Sequence, residues 1–391
     1  MKHPAVRGSF WPSPTQEALL RITLGPSADA AAEWRKLQPI DVQALEPGSF
    51  CLMPLLYERL SEVAPSDDRL PLLRGTCRSN WLRGKMLIDR VAALLPALQE
   101  REIEPLVIGG GAIITRWYSG LGSRPLPQFE LAVDPACGSE AAAAIEASGW
   151  RSSSGDGIHR WFVDDHGQRL VLHEGMPPLV AGPLGRAGAL EELRARAVHL
   201  PVLGTPMLVL QPADELVIAC GLGARSTIPP TIQWLLDAAK ALAAADRPDP
   251  DELLARARRY RLVVPLRDTV IYLTRFAALE LDGYLAAFSA EPVPRGETLA
   301  YRVSGLPGGP LVGVSLVLAS GLRTTSELPT TRALAGMPRQ VQEAWGATSL
   351  PQTAAFAMRK LLRRLRPRRA VQPLSRQPPG APVDRNRSAS S

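Results

Sequence analysis

Apolar residues recur at three- and four-residue spacing over most of the first hundred positions. TQEALLRITL, AAAEWRKL, CLMPLLYERL and NWLRGKMLIDRVAALLPALQERE each carry this period, which gathers the apolar side chains on one face of a helix. Pro39, Pro47 and Pro65 fall at the breaks between them, where a residue without a backbone N–H costs a helix least. The period changes after Glu104. EPLVIGG is a short apolar run closed by glycine, and strands and helices then alternate: strand 106–108, helix 112–118, strand 129–133, helix 139–148, and a hairpin over 158–173 with the turn sequence DDHG at its tip. A further strand is expected near HLPVLG (199–204), after which LVLQPADELVIAC opens a helix. Beyond residue 212 the helical period returns in ADELVIACGL, PTIQWLLDAAKALAAAD, DPDELLARARRYRL and VPLRDTVIYLTRFAALELDGYL, with Asp249 or Asp251 as the cap ahead of ELLARA.

This order predicts an α+β protein, a small mixed sheet with helices flanked by N- and C-terminal helical regions. The expected divisions are a helical region over 1–102, an α/β core over 103–212, a second helical region over 213–366 and a basic tail over 367–391. With 391 residues, 46% of them hydrophobic, the chain is long enough for two or three packed units.

Charge modifies this picture in one place. The net charge is +7, yet residues 359–391 hold ten Lys/Arg against one Asp, or +9, which leaves −2 for the rest. The globular part is therefore not basic, and contact with nucleic acid is expected only through the tail. MRKLLRRLRPRR (358–369) starts as a helix that Pro367 ends, and the Pro-, Ser- and Arg-rich remainder has the composition of a disordered segment. Cys51, Cys77, Cys137 and Cys220 are scattered with no CxxC pair, which fits a reducing cytoplasm better than a zinc site or a disulfide framework. MKHPAVRGSFWPSP lacks the apolar run of a secretory leader, and apolar runs such as LVGVSLVLASGL are too short to span a bilayer. A cytoplasmic protein without a membrane span is the expectation.

The chemistry concentrates in VIGGGAIITRWYSGLGSRPLPQFELAV, residues 107–133. A strand enters a glycine turn, a helix follows, and the next strand carries Gln128 and Glu130 two residues apart, hence on one face. Glycines let backbone amides approach phosphate oxygens, aided by the positive end of the following helix. The GxxxxGK[ST], GxSxG and HExxH patterns are absent.

This arrangement resembles the DNA polymerase β-like nucleotidyltransferase superfamily, and within it the uncharacterised bacterial nucleotidyltransferase family, whose genes often neighbour those for peptide modification and polysaccharides. The resemblance covers roughly residues 15–290. It implies that Gly110 and Gly111 form the phosphate-seating turn, that Arg124 precedes the acidic strand, and that Gln128 and Glu130 stand at the two positions of an Asp-x-Asp pair that holds Mg2+. RLVLHEG (169–175) resembles the strand that ends in an acidic residue, any residue and His; Val171 takes the acidic position and His173 the histidine. Trp234 and Asp237 match the family's Trp-x-x-Asp helix, while Ala219 and Cys220 stand where a histidine is usual. Gly109 stands where the family often has lysine.

One of three expected carboxylates thus remains. Magnesium binding ordinarily uses one or two carboxylates besides substrate phosphates, so the loss weighs directly on catalysis. Asp134, Asp156, Asp164, Asp165 and Glu174 are the acids near enough in sequence to consider as replacements; the first four read as solvated turn or loop residues, and Glu174 faces away from the Val171 side of its strand. Two functions stay open. The first is an enzyme that moves a nucleotidyl or phosphoryl group from an NTP to a hydroxyl of a peptide, saccharide or small molecule, with Glu130 and Gln128 on the metal, His173 in the site, and Gly110, Gly111 and Arg124 on the phosphates. The second is a catalytically degenerate relative that binds a nucleotide or a protein partner within a biosynthetic assembly.

Overall fold

The structure is a computed structural model that describes residues 10–37, 45–153, 159–202, 204–227, 231–306, 312–324, 349 and 351–352. The helix and tail expected over 358–391 lie outside these residues. Four helices open the described chain: α1 (Pro14–Leu24), α2 (Ser27–Lys36), α3 (Met53–Val63) and α4 (Leu70–Gln99). α1 begins with a reciprocal cap, in which the Ser13 hydroxyl accepts from the Gln16 backbone and the Gln16 side chain accepts from the Ser13 backbone.

α4 leads into β1 (Leu106–Val107), α5 (Gly110–Trp117), β2 (Phe129–Val133) and α6 (Gly138–Ala147). β3 (Arg151–Ser153), β4 (His159–Val163) and β5 (Arg169–Glu174) form a meander, and α7 (Pro178–Ala181) and α8 (Gly185–Arg194) lead to the hairpin β6 (Val198–Val202) and β7 (Thr205–Val209). The seven strands run in the order β3-β4-β5-β2-β1-β7-β6. β2 is central, antiparallel to β1 and parallel to β5, and β1 is parallel to β7. The chain is α+β, as its pattern predicts.

Alternation along β2 divides the sheet into two faces. Phe129, Leu131 and Val133, with Leu170, Leu172 and Phe162, pack against Leu87, Val91 and Leu94 of α4 and Ala141 and Ile145 of α6. Ala132, Leu106 and Leu208 belong to the opposite face and join a larger core that contains Leu19, Trp34 and Leu56 from the N-terminal helices and Trp234, Tyr260 and Phe288 from the C-terminal ones. α1 to α3 and the C-terminal helices therefore bury their apolar stripes on one side of the sheet, and most of the α4 stripe covers the other.

The C-terminal helices are α9 (Pro212–Gly223), α10 (Gln233–Ala243), α11 (Pro250–Tyr260), α12 (Val263–Leu273), α13 (Asp282–Ser289), α14 (Arg295–Ser304) and α15 (Val312–Thr324). Asp249 caps α11 by accepting from the backbones of Asp251 and Glu252. Two expectations change. LVLQPADELVIAC does not open directly into a helix: its first residues complete β7, because a short apolar run suits a buried strand equally well and pairing of Leu106 with Leu208 beside β1 decides it. VPLRDTVIYLTRFAALELDGYL divides into α12 and α13, because the chain between them leaves the helix to donate the Ala278 N–H to the Leu24 carbonyl at the end of α1. No helix among the described residues is long and apolar enough to cross a membrane.

Candidate functional site

Glu130 lies on β2, opposite Val171 of β5, which in turn lies opposite Trp161 of β4. The next pairing on the same face aligns Ala132, His173 and His159. Pairing partners share a face, so Glu130, Val171, His173 and His159 all look to the side of the sheet that carries the C-terminal helices. Gln128, two residues before Glu130, completes the row.

The polar groups form one connected chain. Gln128 Nε2 donates to Glu130 Oε1 at 2.8 Å, and His173 Nε2 meets Glu130 Oε2 at 2.8 Å. His173 Nδ1 lies 2.8 Å from His159 Nδ1, with one proton between the two rings. The His173 side chain is buried, whereas 24% of the Glu130 side chain is exposed, so a solute reaches the carboxylate and not His173. Burial by itself would raise the Glu130 carboxyl. The hydrogen bond and positive charge of His173, the Gln128 amide and the nearby charge of Arg225 outweigh it and hold the carboxyl down to about 2.

The three glycines of the turn have different duties. Gly109 sits at φ +72°, a backbone shape that L side chains rarely adopt, with open space where a Cβ would stand. It makes the bend from β1 into α5. A Cβ on Gly110 would meet the Arg124 guanidinium and Leu126 at 2.7 Å, and one on Gly111 would meet the Phe129 ring at 2.5 Å. Gly110 and Gly111 thus allow α5 to pack closely on the loop and on β2, and together they place the α5 amino terminus beside the strand that carries Glu130.

Arg124 is buried and directed at Asp237 of α10. Its Nε and Nη2 donate to the two carboxylate oxygens at 2.7 and 2.8 Å, and its Nη1 donates to the Pro125 carbonyl. Tyr118 Oη and Gln233 Nε2 also donate to Asp237. This bidentate pair ties the loop before β2 to the C-terminal helices, and it occupies the fork expected on a phosphate. Trp234, three residues earlier, is buried in the core.

The other acids have separate partners. Glu174 pairs with Arg160 on the opposite face of the sheet. Asp134 caps a short 3-10 turn by accepting from the Ala136 backbone, and Asp165 pairs with Arg151. Asp164 corrects the expectation of a solvated turn residue: it is buried, because its carboxylate accepts the His166 and Gln168 backbone N–H groups and faces Arg90. Asp156 lies outside the described residues.

A magnesium pair fits these residues poorly. Both oxygens of Glu130 already accept, one from Gln128 and one from His173; Gln128 presents its NH2 rather than its carbonyl to that carboxylate; and the third position is the buried apolar Val171. Among the described residues no three His, Cys, Asp or Glu side chains are grouped to hold a metal ion.

Residues 51–278, which include the sheet, the glycine turn ahead of α5 and the polar row on β2 and β5, match the family model described as uncharacterised nucleotidyltransferase. The chain belongs to that nucleotidyltransferase family. No curated protein and no solved structure gives a significant match. Membership makes nucleotidyl transfer the general activity class and an NTP the implied substrate. Within this family frame, the structure adds two residues to those read from the sequence, His159 behind His173 and Arg225, whose charge acts on Glu130. His159 was legible in principle: counting outward from the DDHG turn pairs 163 with 169, 161 with 171 and 159 with 173. Arg225 follows α9 and carries no sequence signal that would link it to β2.

Proposed function

We propose that this protein transfers a nucleotidyl or phosphoryl group from an NTP to a hydroxyl of a peptide, saccharide or small molecule, far more slowly than a site with three carboxylates would. The observation that carries the reading is the Glu130 carboxylate, held on the family's strand by Gln128 and His173 and placed beside the glycine turn. The α5 amino terminus would seat the phosphates and Arg225 would offset part of their charge. In such a reaction the acceptor oxygen bonds to phosphorus, pyrophosphate or nucleoside diphosphate leaves, and the hydroxyl proton passes to the Glu130–His173 pair. A carboxyl held near pH 2 is a weak base, and metal stabilisation of a phosphoryl transition state contributes several kcal/mol, at about 1.4 kcal/mol per factor of ten. A rate several orders of magnitude below that of a three-carboxylate site is the consequence.

Val171 favours a second reading, in which the site binds the nucleotide without turning it over and the protein serves as a nucleotide-dependent component of a biosynthetic assembly. One experiment separates the two. Equilibrium binding and turnover of radiolabelled NTPs would be followed with and without Mg2+, in the natural protein and in Glu130→Gln. Slow turnover that Glu130→Gln abolishes while binding persists supports transfer; binding with no turnover in either protein supports the second reading. Absence of NTP binding under all conditions would refute both.

A further inference from the structure

α4 is the longest helix described, and among the described residues only one side of it is covered. Leu73, Leu87, Val91, Leu94 and Leu98 are buried. On the outer side Leu72, Leu82 and Met86 recur at helical spacing and are exposed, Leu82 to 54%; Trp81, beyond the basic edge of this row, is 52% exposed. Exposed apolar side chains of this size in one row on one helix mark a contact surface.

Their surroundings are basic. Arg74, Arg78 and Lys85 follow one edge of the row and Arg83 the other. Arg74, Arg78 and Arg83 form no ion pair among the described residues, and Lys85 pairs only with Asp89 within the helix. α4 carries five Lys/Arg against Asp89, or +4, although residues 1–358 together sum to −2. The remainder of that span is therefore −6, and α4 is a local concentration of positive charge on an otherwise acidic body.

We propose that the outer face of α4 is a docking surface for an anionic lipid bilayer. A helix face with an apolar ridge and basic flanks inserts its ridge at the level of the acyl boundary while arginines remain with the headgroups. A second copy of this face would bring like charges together, and the chain's own 359–391 segment is also basic, so neither is the occupant. That segment supplies a second polybasic element, and stable attachment to a bilayer takes two such signals. The apolar ridge separates this occupant from a nucleic acid, whose phosphate backbone offers Leu82 and Met86 nothing to contact.

The test is sedimentation of the full-length protein with vesicles of phosphatidylcholine alone and with added phosphatidylglycerol. Binding is expected only with the anionic lipid, to weaken as salt rises, and to fall about tenfold in Leu82→Ser/Met86→Ser. Because the protein has eight tryptophans, a second measurement locates the contact without reliance on that variant: brominated lipid should quench fluorescence in the natural protein, and Trp81→Phe should remove that quenching. Equal binding to both lipids, no binding, lipid-dependent binding unchanged by the α4 substitutions, or tight binding to single-stranded RNA lost in the same Leu82→Ser/Met86→Ser variant would each overturn the proposal.

Discussion

Glu130 and Val171 are cross-strand partners in the parallel pairing of β2 with β5, and Val171 is buried at the position where the resemblance leads one to expect a third carboxylate. A carboxylate restored there would stand beside Glu130 on the same face. Val171→Asp is therefore expected to destabilise the metal-free protein by about 2–4 kcal/mol, the range for a buried charge without a partner. Gln128→Asp/Val171→Asp should then become metal-responsive: Mg2+ or Mn2+ at a hundred times its dissociation constant would return about 2.7 kcal/mol, read as a rise in melting temperature absent from the natural protein. A double variant whose melting ignores both ions would show that the β2–β5 face is not the position of the family's metal pair.

The buried pair of Arg124 and Asp237 has a separate test. Removing one partner leaves the other charged and buried, so Arg124→Met or Asp237→Leu alone is expected to cost about 3–5 kcal/mol in denaturant unfolding. Removing both leaves an apolar contact, and Arg124→Met/Asp237→Leu should recover most of that loss. If the pair is structural, as its geometry indicates, NTP affinity in the double variant stays close to that of the natural protein. A large loss of NTP affinity in a well-folded double variant would return Arg124 to the phosphates.

Gly111 and Gly109 should respond to alanine for different reasons. At Gly111 the added carbon meets the Phe129 ring, an overpacking cost of about 1–3 kcal/mol, and Gly111→Ala/Phe129→Leu should relieve it. At Gly109 the space is open but φ is +72°, a backbone cost of similar size that no neighbouring substitution relieves. Double-mutant cycles check this: coupling is expected for 111 with 129 and none for 109 with 129.

The limits of what the sequence made legible follow from the range of the interactions concerned. β2 was readable to the residue, and α5 and α6 to within two, because apolar periodicity and glycine punctuation are local signals. β7 was not, since its pairing with β6 and its parallel alignment with β1, about a hundred residues earlier in the chain, are what distinguish its three apolar residues from the start of a helix. The same limit applied at the site. The Gln128–Glu130 spacing and the position of His173 are strand periodicities, whereas the pairing of Arg124 depends on Asp237 and Gln233 of α10 and on Tyr118 just past α5.

Glu215 supplies the clearest dependence on pH. It lies buried in the first turn of α9, and neither carboxylate oxygen has a hydrogen-bond partner among the described residues. Burial pushes its carboxyl up from 4.5 to about 8, against the lowering charges of Arg116 and Arg124 and with the raising charge of Asp237. The fold thus holds a proton that the unfolded chain releases, so this residue's contribution worsens as pH rises from about 4.5 to about 8. Glu130 works in the opposite sense: its carboxyl falls from 4.5 to about 2, and its contribution is complete above pH 4.5 and lost as pH falls toward 2. Glu215→Gln keeps the shape and removes the titration. Urea unfolding should therefore give equal stabilities for the natural protein and Glu215→Gln near pH 4.5, and a gap on the order of a few kcal/mol in favour of the variant at pH 8. Parallel curves across that interval would mean that Glu215 is ionised in the fold, with Arg116 as its partner.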